Sequence, residues 1–202
     1  MNGRLGALIE VYDLADAECV DGNAWLARRA AGLAARAETK GVQQWRSIDD
    51  PRVAVVTCDV VDAVVAAQPA WTLAETGRAA APSLRVRYIG EQILPGALAG
   101  ASQAGGLLLL AMDVDPAVDA EFNDWNDTEH FPRLAAVEGV ITARRIRCLP
   151  GAQHYLAVYH SSQPEIIDSP AWIHARETAW ARRIRTYTSR RMRIVGRRVH
   201  GS

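Results

Sequence analysis

The sequence predicts an α+β fold: two copies of a strand-helix-strand-strand-helix-strand unit in one chain, packed sheet to sheet. Three observations carry this. First, features recur in the same order at an offset of about one hundred residues, and such internal repeats are the first thing to look for. Gln68-Pro69-Ala70-Trp71 returns as Ser169-Pro170-Ala171-Trp172, Trp25 falls opposite Trp125, and Gly41-Val42 falls opposite Gly139-Val140. Leu8 to Asp13 matches Leu109 to Asp113, and Val53 to Val56 matches Tyr155 to Tyr159. Second, Leu94 to Gly105 is rich in Gly, Ala and Pro and reads as a linker. Third, short apolar runs alternate with amphipathic stretches in the order of a split βαβ unit.

The elements are clearest in the second half. Leu107 to Asp113 is apolar and short enough for a buried strand. Asp115-Pro116 starts a helix, with Asp at the N-cap and Pro at the first helical position. Val118, Phe122 and Trp125 make its apolar stripe. The helix continues toward Val137, with Pro132 expected to kink or end its first segment and Gly139 expected to close it. Ile141 to Cys148 and His154 to His160 read as strands of a hairpin around Leu149-Pro150-Gly151. Ser169-Pro170 starts a second helix expected to run to about Arg185, and Arg190 to Val199 is a last strand. A sheet with helices on one face has a second face to cover. Two copies cover it by packing together as an intrachain α/β barrel. The expected division is 1–93 for the first repeat, 94–105 for the linker and 106–202 for the second repeat.

Composition narrows the function. The chain has 202 residues, 49% of them apolar, and 23 basic side chains balance 23 acidic ones. It is too apolar for disorder and lacks the net positive charge of a nucleic-acid binder. Lys40 is the only lysine, so the basic charge is nearly all arginine. Cys19, Cys58 and Cys148 are scattered, with neither a disulfide framework nor zinc spacing. The opening apolar run meets Glu10 early, which argues against a secretory signal. No run reaches the length of a transmembrane helix. A cytoplasmic, bacterial protein is the expectation. The phosphate-binding glycine motifs and GxSxG are absent, so no cofactor and no metal is expected.

The stretch Asp119 to Arg133, with Phe122, Trp125, His130 and Pro132, resembles the first-helix signature of EthD-like dimeric α/β-barrel proteins. Tyr155 to Tyr159, followed by Ser169-Pro170-Ala171-Trp172, resembles the same group. The resemblance covers most of 106–199 and implies the barrel fold. Its functional implication is broad: cofactor-free monooxygenases, polyketide cyclases, lactone isomerases and haem enzymes share this superfamily. The chain departs from the pattern at Asn126, where members often carry Tyr. In the first half Leu26 to Ala30 stand opposite Asn126 to His130, so the polar cluster occurs once and the first repeat is the degenerate one.

His130 is the leading catalytic candidate. Asn126 and Asp127 lie four and three residues before it, within reach on a helix. Asp127 is expected to orient the imidazole and raise its pKa, which suits a general acid or base. Glu129 continues the inward stripe of Trp125 and wants a partner among the arginines of the following strand. Alternation separates Arg144 from Arg145 and Arg147, and an arginine facing the inter-sheet cavity suits an anionic or enolate-like ligand. Tyr155 and Tyr159 share a strand face and can hold a phenolic ligand. Against each stands a plainer reading: a capping histidine, edge or ion-paired arginines, core tyrosines. Two functions follow. One is a cofactor-independent isomerase, cyclase, lyase or oxygenase acting on a small aromatic, lactone or polyketide-like compound, with His130 moving the proton. The other is a non-catalytic small-molecule-binding or accessory protein. A small molecule is the expected partner, with no nucleic acid and no membrane. The chain is expected as a monomeric pseudo-dimer or a homodimer.

Overall fold

The computed structural model describes residues 5–14, 22–72, 82–96 and 98–199. Cys19 lies outside them. The first half contains β1 (Gly6–Asp13), α1 (Gly22–Ala34), β2 (Thr39–Ser47), β3 (Val53–Val60), α2 (Ala63–Ala66), α3 (Pro69–Thr72) and β4 (Ser83–Leu94). The second half opens with β5 (Gly106–Val114), a 3-10 turn at Pro116–Val118 and α4 (Asp119–Trp125). A π-helical segment, Asn126–His130, joins α4 to α5 (Phe131–Ala135). Then come β6 (Val140–Cys148), β7 (Tyr155–Ser161), a 3-10 turn at Pro164–Asp168, α6 (Pro170–Arg176), α7 (Ala179–Arg185) and β8 (Thr188–Arg198).

The strand order is β4-β1-β3-β2 in one half and β8-β5-β7-β6 in the other. All pairings are antiparallel. The two sheets also join at their edges: Trp45 pairs with Arg198 across β2 and β8, and Gly90 pairs with Cys148 across β4 and β6. The result is a closed eight-stranded barrel with the helices outside. Closure leaves no open strand edge around the ring.

Alternation along each strand sends one set of side chains into the barrel and the other under the helices. Ile9, Val11, Trp45, Val55, Leu107, Leu109, Ile146 and Val158 meet inside. This core belongs to both halves, and each fully buried aliphatic side chain contributes roughly 1.5–3 kcal/mol. Leu8, Trp25, Leu26 and Val56 pack beneath the first-half helices. Leu108, Phe131, Tyr159 and Trp172 do so in the second half. Gly6 and Gly106 show why each first strand opens on glycine. A Cβ at Gly6 would come 2.4 Å from the Ala63 nitrogen, and one at Gly106 would come 2.5 Å from the Pro164 nitrogen.

The local signals hold. Asp115 accepts from Ala117 N–H, Ser169 accepts from Trp172 N–H, and Gly139 ends its helical turn at φ 88°. Two expectations are corrected. The second helix breaks at Glu177, and Thr178 caps a new start by accepting from Ala181 N–H. The segment 94–105 is also more than a tether. Ala101 and Ala104 are buried in the barrel core, Gly100 N–H donates to Asp59 Oδ2 at 2.7 Å, and Gln43 Nε2 donates to Ala101 O at 3.0 Å. Among the described residues no helix is long and apolar enough to cross a membrane.

Candidate functional site

The site starts from one proline. Pro132 has no N–H, so in a regular helix the carbonyl four residues back, Thr128, lacks its donor. The helix does not end there. It widens by one residue over Asn126–His130, where Phe131 N–H donates to Asn126 O, and then continues with Pro132 in the first turn of α5. Single π turns of this kind concentrate at functional sites. Trp125 and His130, five apart, would point roughly 140° apart on a regular α-helix. The wide turn stacks their rings instead, with centroids 4.1 Å apart and planes 22° apart. Asn126 turns its amide back to Phe122 O at 2.8 Å.

Below this turn lies a cavity of about 240 Å³ between the helices and the outer face of β5, β7 and β8. A water needs roughly 10–15 Å³ by this measure, so the space suits a small organic molecule. Its walls are mostly apolar: Leu108, Leu110, Met112, Phe122, Trp125 and Trp172. Asn126, His130, Arg145, Tyr155 and Tyr159 also line it. It lies outside the barrel, under the helices, and not between the two sheets.

His130 Nδ1 is buried without a hydrogen-bond partner among the described residues. Burial, then the charges of Arg185, Arg145 and Arg133, push its pKa down to about 3. The imidazole is therefore neutral across the physiological range. This overturns the expected Asp127–His130 pair. The Asp127 carboxylate pairs with Arg145 instead and stands half-exposed beyond the cavity, so it neither orients the histidine nor raises its pKa.

Arg145 is 3% exposed. Its Nη2 donates to Asn123 Oδ1 at 2.8 Å, and its guanidinium lies 5.5 Å from the Phe122 ring. Burial lowers its pKa, and the Asp127 carboxylate works the other way. Asn123 also donates to the Tyr155 hydroxyl at 3.0 Å, and that hydroxyl donates to Asp119 Oδ1 at 2.7 Å. Tyr155 is thus occupied, while Tyr159 is free: its hydroxyl has no partner among the described residues, and burial raises its pKa. The Tyr159 ring meets Trp172 edge-on at 5.1 Å.

Two further candidates move away from the cavity. Arg144 points into the barrel, is 1% exposed, and is ion-paired with Asp59. Its charge is already matched, so it is not offered to a ligand. Glu129 finds no arginine. It accepts from Trp125 Nε1 at 3.2 Å and from Thr178 Oγ1 at 2.6 Å, tying the π turn to the cap of α7. Sequence reasoning missed Asn123 and Asp119, whose helical spacing from Asp127 was the available signal, and the arginines of α6, α7 and β8 at the cavity mouth.

In the first half an ion-paired cluster is buried on the corresponding face of the sheet. Glu10, on the helix-facing side of β1, is fully buried against Arg29, which contacts it at 2.7 and 2.8 Å. Arg87 and Tyr12 complete the cluster at 2.9 and 2.8 Å. Burial opposes the Glu10 charge, but Arg29, Tyr12 and Arg87 outweigh it and hold the carboxyl below its ordinary range.

Among the described residues no group of three or more His, Cys, Asp or Glu is placed to hold a metal. No family model matches the chain, and no curated protein does. Solved structures do. A candidate monooxygenase from Fusobacterium nucleatum subsp. nucleatum is 10% identical, with a TM-score of 0.68 over 99% of this chain and 94% of that chain. A variant of the chlorite dismutase from Candidatus Nitrospira defluvii is 11% identical, with a TM-score of 0.67 over 98% and 92%. An anthrone oxidase-like protein is 12% identical, with a TM-score of 0.64 over 98% and 92%. At these identities the likeness is one of fold. This chain shares their fold, a closed eight-stranded antiparallel barrel with helices outside and both halves carried on one polypeptide.

Proposed function

We propose that the second-half cavity binds a small aromatic, lactone or polyketide-like compound and acts on it by cofactor-independent proton transfer of the oxygenase type. The observation that carries this is a set of polar groups with unused capacity on a largely apolar wall. His130 and Tyr159 carry polar atoms without partners among the described residues, and the buried Arg145 lines the cavity with them. Leaving buried polar groups unpaired costs about 1–3 kcal/mol each, so such groups call for a ligand that supplies the partner.

The chemistry follows from charge. A neutral imidazole accepts a proton from an acidic C–H or O–H of the ligand. Alone, the imidazolium would be disfavoured here. Beside the enolate it creates, it is half of an ion pair, and Arg145 and Tyr159 hold the oxyanion. The enolate gives one electron to triplet dioxygen, and the resulting carbon radical and superoxide combine in a C–O bond. The imidazolium protonates this peroxide to a hydroperoxide. Removal of the remaining C–H proton with cleavage of the O–O bond then expels water and leaves a carbonyl, so CH2 plus O2 becomes C=O plus H2O. Isomerase, cyclase and lyase outcomes use the same first step. Two proteins of similar fold, a candidate monooxygenase and an anthrone oxidase-like protein, are compatible with this reading.

On this reading 1–93 is a tandem repeat with a degenerate site, 94–105 joins the halves, and 106–202 carries the EthD-like stretch Asn126 to His130. The buried Glu10–Arg29 cluster supports one site per chain. A pseudo-dimeric monomer fits the closed ring.

The test is dioxygen uptake with anthrone. The native protein is expected to turn it over, and His130→Gln to lose at least about 100-fold in kcat. Full turnover by His130→Gln rejects the role of His130. The second reading, a binding protein without catalysis, is favoured by the low basicity of the free imidazole. Anthrone binding by the native protein without uptake would establish it.

A further inference from the structure

The mouth of the cavity carries an unbalanced charge. Arg145, Arg176, Arg185, Arg191 and Arg193 line the cavity, with Glu177 as the one carboxylate among its lining residues. Glu177 is shared by two arginines, Arg185 at 2.8 Å and Arg176 at 3.3 Å. Arg193 is held by Asp168 at 3.0 Å, and Arg145 by Asp127. Arg191 is exposed and has no ion pair among the described residues. It is a guanidinium presented to the cavity with its whole donor fork unused.

Arg191 follows the alternation of Arg193 and Val195 along β8, and the backbone is bent immediately before it. Between β5 and β8 the register slips by one residue: Ala111 pairs with Met192, but Asp113 pairs with Ser189. Arg190 is the extra residue, at φ 48°, a conformation unfavourable for any L side chain. Its guanidinium is held by Asp113 at 3.1 Å, and its carbonyl accepts from Gln153 at 2.8 Å. Bulges re-aim side chains beside functional sites. Here the slip brings Thr188 to the cavity face that Arg191 and Arg193 already share.

We infer that the compound taken by this cavity is an aromatic carboxylate, its ring system inside against Trp125 and Trp172 and its carboxylate at the mouth on Arg191. This rests on the reading that the cavity binds a small aromatic compound, and it adds the charge. A planar fork of donors matches a planar carboxylate in two parallel hydrogen bonds. The surrounding arginines supply the positive potential that draws the anion in.

The experiment compares two probes of nearly equal shape, 2-naphthoate and 2-naphthamide, by titration calorimetry with the native protein, Arg191→Gln and Arg191→Lys. The native protein is expected to prefer the carboxylate by roughly tenfold or more. The preference should fall to near parity in Arg191→Gln and recover in part in Arg191→Lys. Raising salt from 50 to 500 mM should weaken naphthoate far more than naphthamide. Equal affinity of the native protein for both probes overturns the carboxylate assignment and leaves the aromatic cavity standing. A preference that survives Arg191→Gln overturns the role of Arg191. No binding of either probe at millimolar concentration overturns both the cavity reading and this inference.

Discussion

Ionising His130 works against its burial and three arginines, and that has a measurable cost. Unfolded, it binds a proton near 6.5; folded, only near 3. Between those values the unfolded chain holds one more proton than the folded one. Stability therefore rises with pH across this window, by up to about 1.4 kcal/mol per pH unit, and levels off above it. His160, pushed down by burial and by Arg144 and Arg198, acts in the same direction. Urea midpoints at pH 4, 5, 6 and 7 should climb, and His130→Gln should flatten the climb by the share of one proton. An unaltered slope in that variant contradicts the burial argument. Asp127 tests the other half of the local electrostatics. Asp127→Asn leaves Arg145 with Asn123 alone, and because water reaches Asp127 the expected loss is only about 1 kcal/mol. The sequence named His130, Arg145 and Tyr159, and all three line the cavity. It mispaired Asp127 because helical spacing says who is near, not which of two cations a carboxylate meets.

The helix carrying the site is shaped by a missing donor. Pro132→Ala restores an N–H to a turn that had none, and lets Asn126–His130 relax toward a regular α-helix. Thermal stability should change by no more than about 1 kcal/mol. Ligand affinity should drop, because Trp125 and His130 then leave their stacked arrangement. Thr178 has two partners, Ala181 N–H as a cap and Glu129 across the cavity rim. Thr178→Ala is expected to cost about 1–2 kcal/mol, read from the urea midpoint. Caps built from neighbouring residues, Asp115 and Ser169, were legible because the signal is local. The break at Glu177 was not, because the partner that fixes Thr178 lies 49 residues away. The π turn was half legible: Pro132 announced a disturbance but not whether the helix would stop or widen.

At the scale of the whole molecule, the two halves are joined by hydrogen-bonded edges, one apolar core and a buried polar end. In that end Arg144 pairs with Asp59, and His160 contacts Gln43 Oε1 at 2.9 Å. Each pair spans the halves. Asp59→Leu leaves Arg144 buried without its counter-charge and should cost about 3–5 kcal/mol. Adding Arg144→Met should recover most of that loss, since no charge is then stranded. Both are read by chemical denaturation, and a single Asp59→Leu without effect contradicts the buried pair. The repeat and the strand order were legible because element order and alternation are written along the chain. Edge closure was not, because nothing in the residues around Trp45 or Gly90 says which strand will lie beside them.

On the proposed function the ligand site lies under the helices of the second half, around His130, and not inside the barrel. A crystal structure with bound 2-naphthoate decides this. Ring density is expected beside Trp125 and Trp172 and against the His130 ring, with the carboxylate toward Arg191. Density inside the barrel or on the first half, with the second-half cavity closed by its own side chains, would contradict it.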